Sequence, residues 1–122
     1  MNENMTENEM IQLAICLSKH DPDRIKHHAK HFNKTAWKWI AGNLAEHNPD
    51  YLEKYANYFS REDWNVISEV LSICQPSFLE KYAKHFLQDD WHVIGDFLLC
   101  HNLEYIEKLK QHMPAEIYNK YK

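Results

Sequence analysis

The chain has 122 residues, 44% of them hydrophobic and 26% charged, with a formal net charge of −4. That balance suits one soluble domain and disfavours disorder, while two Gly and four Pro disfavour a turn-rich β-fold. A net negative charge weighs against non-specific nucleic-acid binding by the whole surface.

Three cysteines, Cys16, Cys74 and Cys100, are an odd number with no CxxC pair. They predict buried thiols in a reducing compartment and not a disulfide framework. The start, Met1-Asn-Glu-Asn-Met-Thr-Glu-Asn-Glu, is polar and acidic, unlike a signal peptide. The longest apolar region, around Met10–Leu17, is too short to span a bilayer. The expected location is therefore the cytoplasm, that of a host cell if the protein is viral.

Residues 1–5 are expected to fray. Thr6-Glu-Asn-Glu9 then reads as a capping box, and a capping helix over 6–21 carries Met10, Leu13, Ala14 and Leu17 at helical spacing. Asp21-Pro22 closes it, because a residue before proline is pushed out of the α region.

From Pro22 the chain repeats itself. Pro49-Asp-Tyr-Leu-Glu-Lys-Tyr-Ala-Asn-Tyr-Phe-Ser-Arg-Glu-Asp-Trp64 returns 27 residues later as Pro76-Ser-Phe-Leu-Glu-Lys-Tyr-Ala-Lys-His-Phe-Leu-Gln-Asp-Asp-Trp91. It occurs 27 residues earlier, more loosely, as Pro22 to Trp37, and an eroded copy runs from Leu103 to Tyr118. No gap is needed. A fixed period marks a solenoid, in which each repeat buries its apolar face only against its neighbours. The expected fold is all-α: a single domain folded as a short right-handed αα-solenoid of helix-turn-helix repeats. These span 22–48, 49–75 and 76–102, with 6–21 and 103–122 as capping half-repeats.

Each repeat has one grammar. Proline opens a first helix where its missing N–H costs nothing. Tyr51, Leu52, Tyr55, Ala56 and Phe59 form an apolar stripe, and Ser60-Arg-Glu-Asp63 ends that helix and caps the next. The second helix buries Trp64, Ile67, Ser68 and Leu71, with a small residue recurring at Ala14, Ala41, Ser68 and Gly95 so that backbones can approach closely. In the last copy Ala83 is answered by Lys110 and Val93 by Lys120, the charge a terminal cap needs. Nine helices and no strands follow from this pattern.

The Phe/Tyr-Leu-Glu-Lys-Tyr-Ala…Asp-Trp pattern at Tyr51–Trp64 and Phe78–Trp91 resembles short helical repeats with "FIEKYxDKxDW"-type units, found in giant-virus, phage and bacterial proteins. The resemblance covers roughly residues 22–118. It implies a viral or mobile-element accessory protein acting on host machinery, and it carries no activity over to named positions.

Nine histidines raise the question of metal. His27 and His31 stand at chelating i, i+4 spacing, but His28 takes the packed slot of Tyr55 and Tyr82, so the three rings diverge. No metal site and no cofactor are expected. Two further columns align: His31, Tyr58, His85 and His112 beside the stripe of the first helices, and His20, His47, Cys74 and His101 at the ends of the second. A histidine at a helix C-terminus meets free carbonyls and the negative dipole end. Cys74 recurs as His and has no oxyanion hole, so no catalytic residue is assigned. Trp37, Trp64 and Trp91 hold one core position, while Trp39 fits either core or surface.

Charge breaks the repeat symmetry. The first repeat sets Arg24, Lys26, Lys30, Lys34 and Lys38 against two carboxylates, whereas the next two repeats hold four cations against nine. Acidic residues recur at Glu53, Glu80 and Glu107, at Glu62, Asp89 and Glu116, and at Glu69 and Asp96. First-turn carboxylates also favour the helix dipole. Together, though, the columns predict an acidic ridge suited to a basic partner.

The leading expectation is a non-enzymatic protein-interaction module, a viral inhibitor or accessory factor. It docks Glu53, Glu62, Glu69, Glu80, Asp89 and Asp96 on a basic host surface such as a nuclease's nucleic-acid groove. The alternative is nucleic-acid binding through Arg24, Lys26, Lys30, Lys34 and Lys38 with Trp39 stacked on a base. The sequence leaves the oligomeric state open.

Overall fold

The computed structural model describes residues 5–121, with side chains through residue 120. Of the expected frayed tail, all but Met5 lies outside the described residues, as does Lys122 of the closing repeat. Among the described residues the protein is all-α, with no strand. Its α-helices are α1 (Glu7–His20), α2 (Ile25–His28), α3 (Lys34–His47), α4 (Arg61–Cys74), α5 (Gln88–His101), α6 (Glu104–Leu109) and α7 (Ala115–Tyr121).

Local structure follows the 27-residue period closely. α3, α4 and α5 each have 14 residues and start at aligned positions, as does α1 one period earlier. Each is closed by the same backbone: Asp21, Asn48, Gln75 and Asn102 have φ between −152° and −140° and ψ near 60°. Their N–H groups donate to Leu17, Leu44, Leu71 and Leu98 four residues back. Proline follows at three of the four positions, and its ring forbids the α region to the residue before it.

The start signals behave as read. Thr6 accepts from Glu9 N–H at 3.1 Å and donates its own N–H to Glu9 Oε1 at 3.0 Å, the reciprocal capping box. Ser60 and Asp63 repeat it at the head of α4, where Ser60 N–H donates to Asp63 Oδ2 at 2.9 Å and Asp63 N–H to Ser60 Oγ at 3.2 Å. Asn33 caps α3 through Ala36 N–H at 2.8 Å.

The first half of each repeat departs from the expected helix. Residues 49–59 form two 3₁₀ turns, Pro49–Tyr51 and Ala56–Tyr58, and residues 76–86 do the same at Pro76–Phe78 and Ala83–His85. Of the three full repeats only the first keeps a short α-turn, α2, between 3₁₀ segments, and the closing copy holds α6 in that place. The expected nine helices therefore become seven α-helices among the described residues. The cause is local. Tyr51, Tyr55, Asn57, Tyr58 and Phe59 are indifferent helix formers in a short segment, and i→i+3 bonds such as Leu52 N–H to Pro49 O at 3.1 Å tighten it.

The chain divides into two compact units, residues 1–63 and 64–122, the boundary falling just after the first turn of α4. In the first, α1 packs on α3, and Ala14, Ile25, Ile40, Ala41, Leu44 and Leu52 have no exposed surface. In the second, α5 packs on α6 and α7, with Ile67, Leu71, Leu79, Tyr82, Ile94, Leu98 and Ile117 wholly buried. Each such aliphatic side chain contributes about 1.5–3 kcal/mol of burial.

The small recurring position is closed in every copy: Ala14, Ala41 and Ser68 are inaccessible and Gly95 is buried. Buried Ser18, Ser68 and Ser72 satisfy their hydroxyls on carbonyls of their own helices at 2.6–2.7 Å. The thiols correct the sequence reading. Cys16, Cys74 and Cys100 are all exposed, because they stand off the apolar stripe or at the last residues of their helices. No helix among the described residues is long and apolar enough to cross a membrane.

Candidate functional site

The acidic residues singled out by alignment all reach the surface. In the first compact unit Glu53 and Glu62 are exposed, and Glu62 lies 3.5 Å from Lys34 Nζ. That pair joins a residue of the expected acidic ridge to one of the expected basic set, so the two faces are not cleanly separate there. With both side chains about two-thirds or more exposed, the pair adds at most about 1 kcal/mol.

In the second unit Glu69, Glu80, Asp89 and Asp96 are exposed. Glu80 accepts from Gln111 Nε2 at 3.1 Å and lies 3.3 Å from His112 Nε2. Helical spacing puts Glu69 on the face of α4 that ends in Ile73, which is 38% exposed. On α5 it puts Asp89 and Asp96 with Leu99, which is 47% exposed. Glu107 and Glu116, the remaining column members, are hydrogen-bonded to Tyr118 and Gln88.

The basic set lies in the first unit. Lys26, Lys30 and Lys38 are exposed, while Arg24 stands 3.8 Å from Asp21. Trp39, which the sequence left undecided, is on the surface. Lys54 closes a charge pair that alignment did not single out, reaching Asp23 Oδ1 at 3.2 Å. That hydrogen bond holds the Asp23 carboxyl below, and the Lys54 ammonium above, its ordinary range.

Of the histidines, His27 and His31 are exposed. His28 is half-buried, and its Nδ1 is enclosed without a hydrogen-bond partner. Burial lowers its pKa, and the positive charge of His27, Arg24 and His31 adds to the effect. His20, His47, Cys74 and His101 are each the last residue of their helix, as the dipole argument anticipates. Among the described residues no three His, Cys, Asp or Glu side chains gather as a metal site would require.

The alignment saw two kinds of residue without seeing their roles. The ring column stacks on the tryptophans: Trp37 on Tyr58, Trp64 on His85 and Trp91 on His112, all within 7° of parallel. A planar ring 21 residues after Trp37, Trp64 and Trp91 was the available signal. Next to the exposed Asp89, Asp90 is wholly buried, accepting Leu87 N–H at 2.9 Å and Asn65 Nδ2 at 2.9 Å. Beside the third stack lies an open cavity of about 550 Å³, lined by Glu80, Lys81, Lys84, Phe86, Trp91 and His112 among others.

The chain matches no protein-family model, no curated protein and no solved structure.

Proposed function

We propose that the chain is a short αα-solenoid of three 27-residue repeats with half-repeat caps, acting as a non-enzymatic protein-interaction module. Its acidic residues, Glu53, Glu62, Glu69, Glu80, Asp89 and Asp96, engage a basic protein surface. The observation that carries this reading is the paired design of α4 and α5. Each presents exposed carboxylates that run into an exposed apolar residue, Glu69 to Ile73 and Asp96 to Leu99. Carboxylates steer a basic partner and set its register, and apolar side chains supply the desolvated contact that holds it. The family resemblance extends the reading to a viral or mobile-element inhibitor working in the host cytoplasm, its target a nucleic-acid-binding surface such as a nuclease's.

Capture from host lysate, with wild type and a Glu69→Lys/Asp89→Lys/Asp96→Lys variant side by side, tests it. A protein retained by the wild type, lost from the variant and released by salt supports the reading. Identical retention by both overturns it.

Exposed Trp39, in a helix that also carries Lys34 and Lys38, favours a second reading: nucleic-acid binding with Arg24, Lys26 and Lys30 contributing phosphate contacts. Salt-titrated binding to single- and double-stranded oligonucleotides separates the two. Affinity lost on Lys30/Lys34 neutralisation but indifferent to the acidic reversals selects the second.

A further inference from the structure

We infer that the C-terminal ends of α4 and α5 form a docking surface for an amphipathic helix with an apolar stripe flanked by lysine or arginine. This rests on the proposed acidic docking function and names the partner's chemistry at one end of it.

The two helix ends are held side by side. Asn102, the residue that closes α5, donates its side-chain Nδ2 to Ser72 O of α4 at 2.9 Å. Ile73 follows Ser72 directly and Leu103 follows Asn102 directly, so each apolar residue lies next in sequence to one partner of this hydrogen bond. Leu99 lies in the last turn of α5, and Leu103 follows just after the Asn102 that closes it. Ile73, Leu99 and Leu103 are 38%, 47% and 57% exposed.

The position of Leu99 is the sharper observation. Its counterparts one, two and three periods earlier are Ser72, Ala45 and Ser18, and all three are completely buried. A position that elsewhere is small and covered is here a large apolar side chain open to solvent. A packed helix is what covers such a position.

Charge selects which helix. Glu69 lies one turn before Ile73 on α4, Asp96 one turn before Leu99 on α5, and Glu104 follows Leu103; all three are exposed. A second copy docked on this patch through a two-fold axis would set these carboxylates against themselves, which disfavours self-association. A helix with basic flanks meets them with opposite charge instead.

The test uses the full chain and three synthetic fluorescein-labelled helical peptides, read by anisotropy. One has a leucine stripe with lysine flanks, one the same stripe with glutamate flanks, and one the lysines with serine for leucine. The leucine–lysine peptide is expected to bind tightest. Leu99→Asp/Leu103→Asp should weaken it by about tenfold or more, and Glu69→Lys/Asp96→Lys should transfer preference to the glutamate-flanked peptide. Circular dichroism verifies the fold of each variant, and Leu99→Ser/Leu103→Ser replaces the aspartate pair if that pair unfolds.

Equal binding of the serine peptide, or indifference to the leucine changes, overturns this inference and leaves acidic docking standing. Equal binding of the two leucine peptides overturns both. Failure of all three peptides to bind overturns the inference, and so does a dimer, seen by light scattering, that Leu99→Asp dissolves.

Discussion

Trp64 and His85 lie face to face, their ring centroids 4.1 Å apart and their planes 7° from parallel. Trp37 and Tyr58 make the same contact at 4.5 Å and 6°. Trp91 and His112 keep the parallel planes but stand 6.2 Å apart, with His112 also held by Glu80. Each tryptophan edge meets a phenylalanine as well, Trp64 meeting Phe86 at 75°. The indole is thus fixed from its face and its edge, and a stacked aromatic pair contributes roughly 0.5–1.5 kcal/mol beyond the area it buries.

Trp64→Ala should therefore destabilise the protein by about 3–5 kcal/mol, as large-to-small core changes do. His85→Ala should cost much less. Urea denaturation of both single variants and the double variant should return a coupling energy of about 0.5–1.5 kcal/mol. Strict additivity would show that the stack contributes nothing of its own.

Asn48 and Asn102 play one part in two places. Asn48 Nδ2 donates to Ser18 O at 2.9 Å, and Asn102 Nδ2 to Ser72 O at the same distance, each satisfying a carbonyl at the end of a neighbouring helix. Asn102→Ala should lose about 0.5–1.5 kcal/mol in denaturant titration. Amide exchange in the last turn of α4 should quicken along with it, and unchanged protection there would refute the capping role.

Asp90 is the most consequential polar residue inside the second unit. It caps α5 and takes the Asn65 amide while having no exposed surface. Asp90→Ala should cost about 1–3 kcal/mol, because it leaves buried donors without their acceptor. Asp89→Ala, one residue away on the surface, should change the thermal midpoint little. A reversed order would contradict the structure.

His28 gives the protein a pH dependence of known sign. Burial lowers its pKa in the folded state, so the unfolded chain takes up the proton at higher pH. Stability should fall as pH drops through the ordinary histidine range near about 6.5 and below. His28→Leu, which installs the residue found at the aligned position Leu109, should flatten that slope. A ¹H NMR titration placing His28 at or above the solvent-exposed histidines would reject the assignment.

The sequence alone determined the period, the caps and the buried stripe, because these are fixed by contacts a few residues apart. Thr6 with Glu9, Ser60 with Asp63, and the proline after Asp21, Asn48 and Gln75 act within a turn. The same period places the small residues Ala14, Ala41, Ser68 and Gly95, all of them buried. What only the tertiary structure decided depends on partners about 20 to 30 residues away. His85 is a stacking ring because Trp64 is there, and Asp90, besides its local cap on Leu87, accepts the Asn65 amide from 25 residues away. Leu99 is open although Ser18, Ala45 and Ser72 at its aligned positions are sealed. A repeat alignment treats those positions as equivalent. Burial depends on what each residue packs against, and that neighbour is not encoded at the position itself.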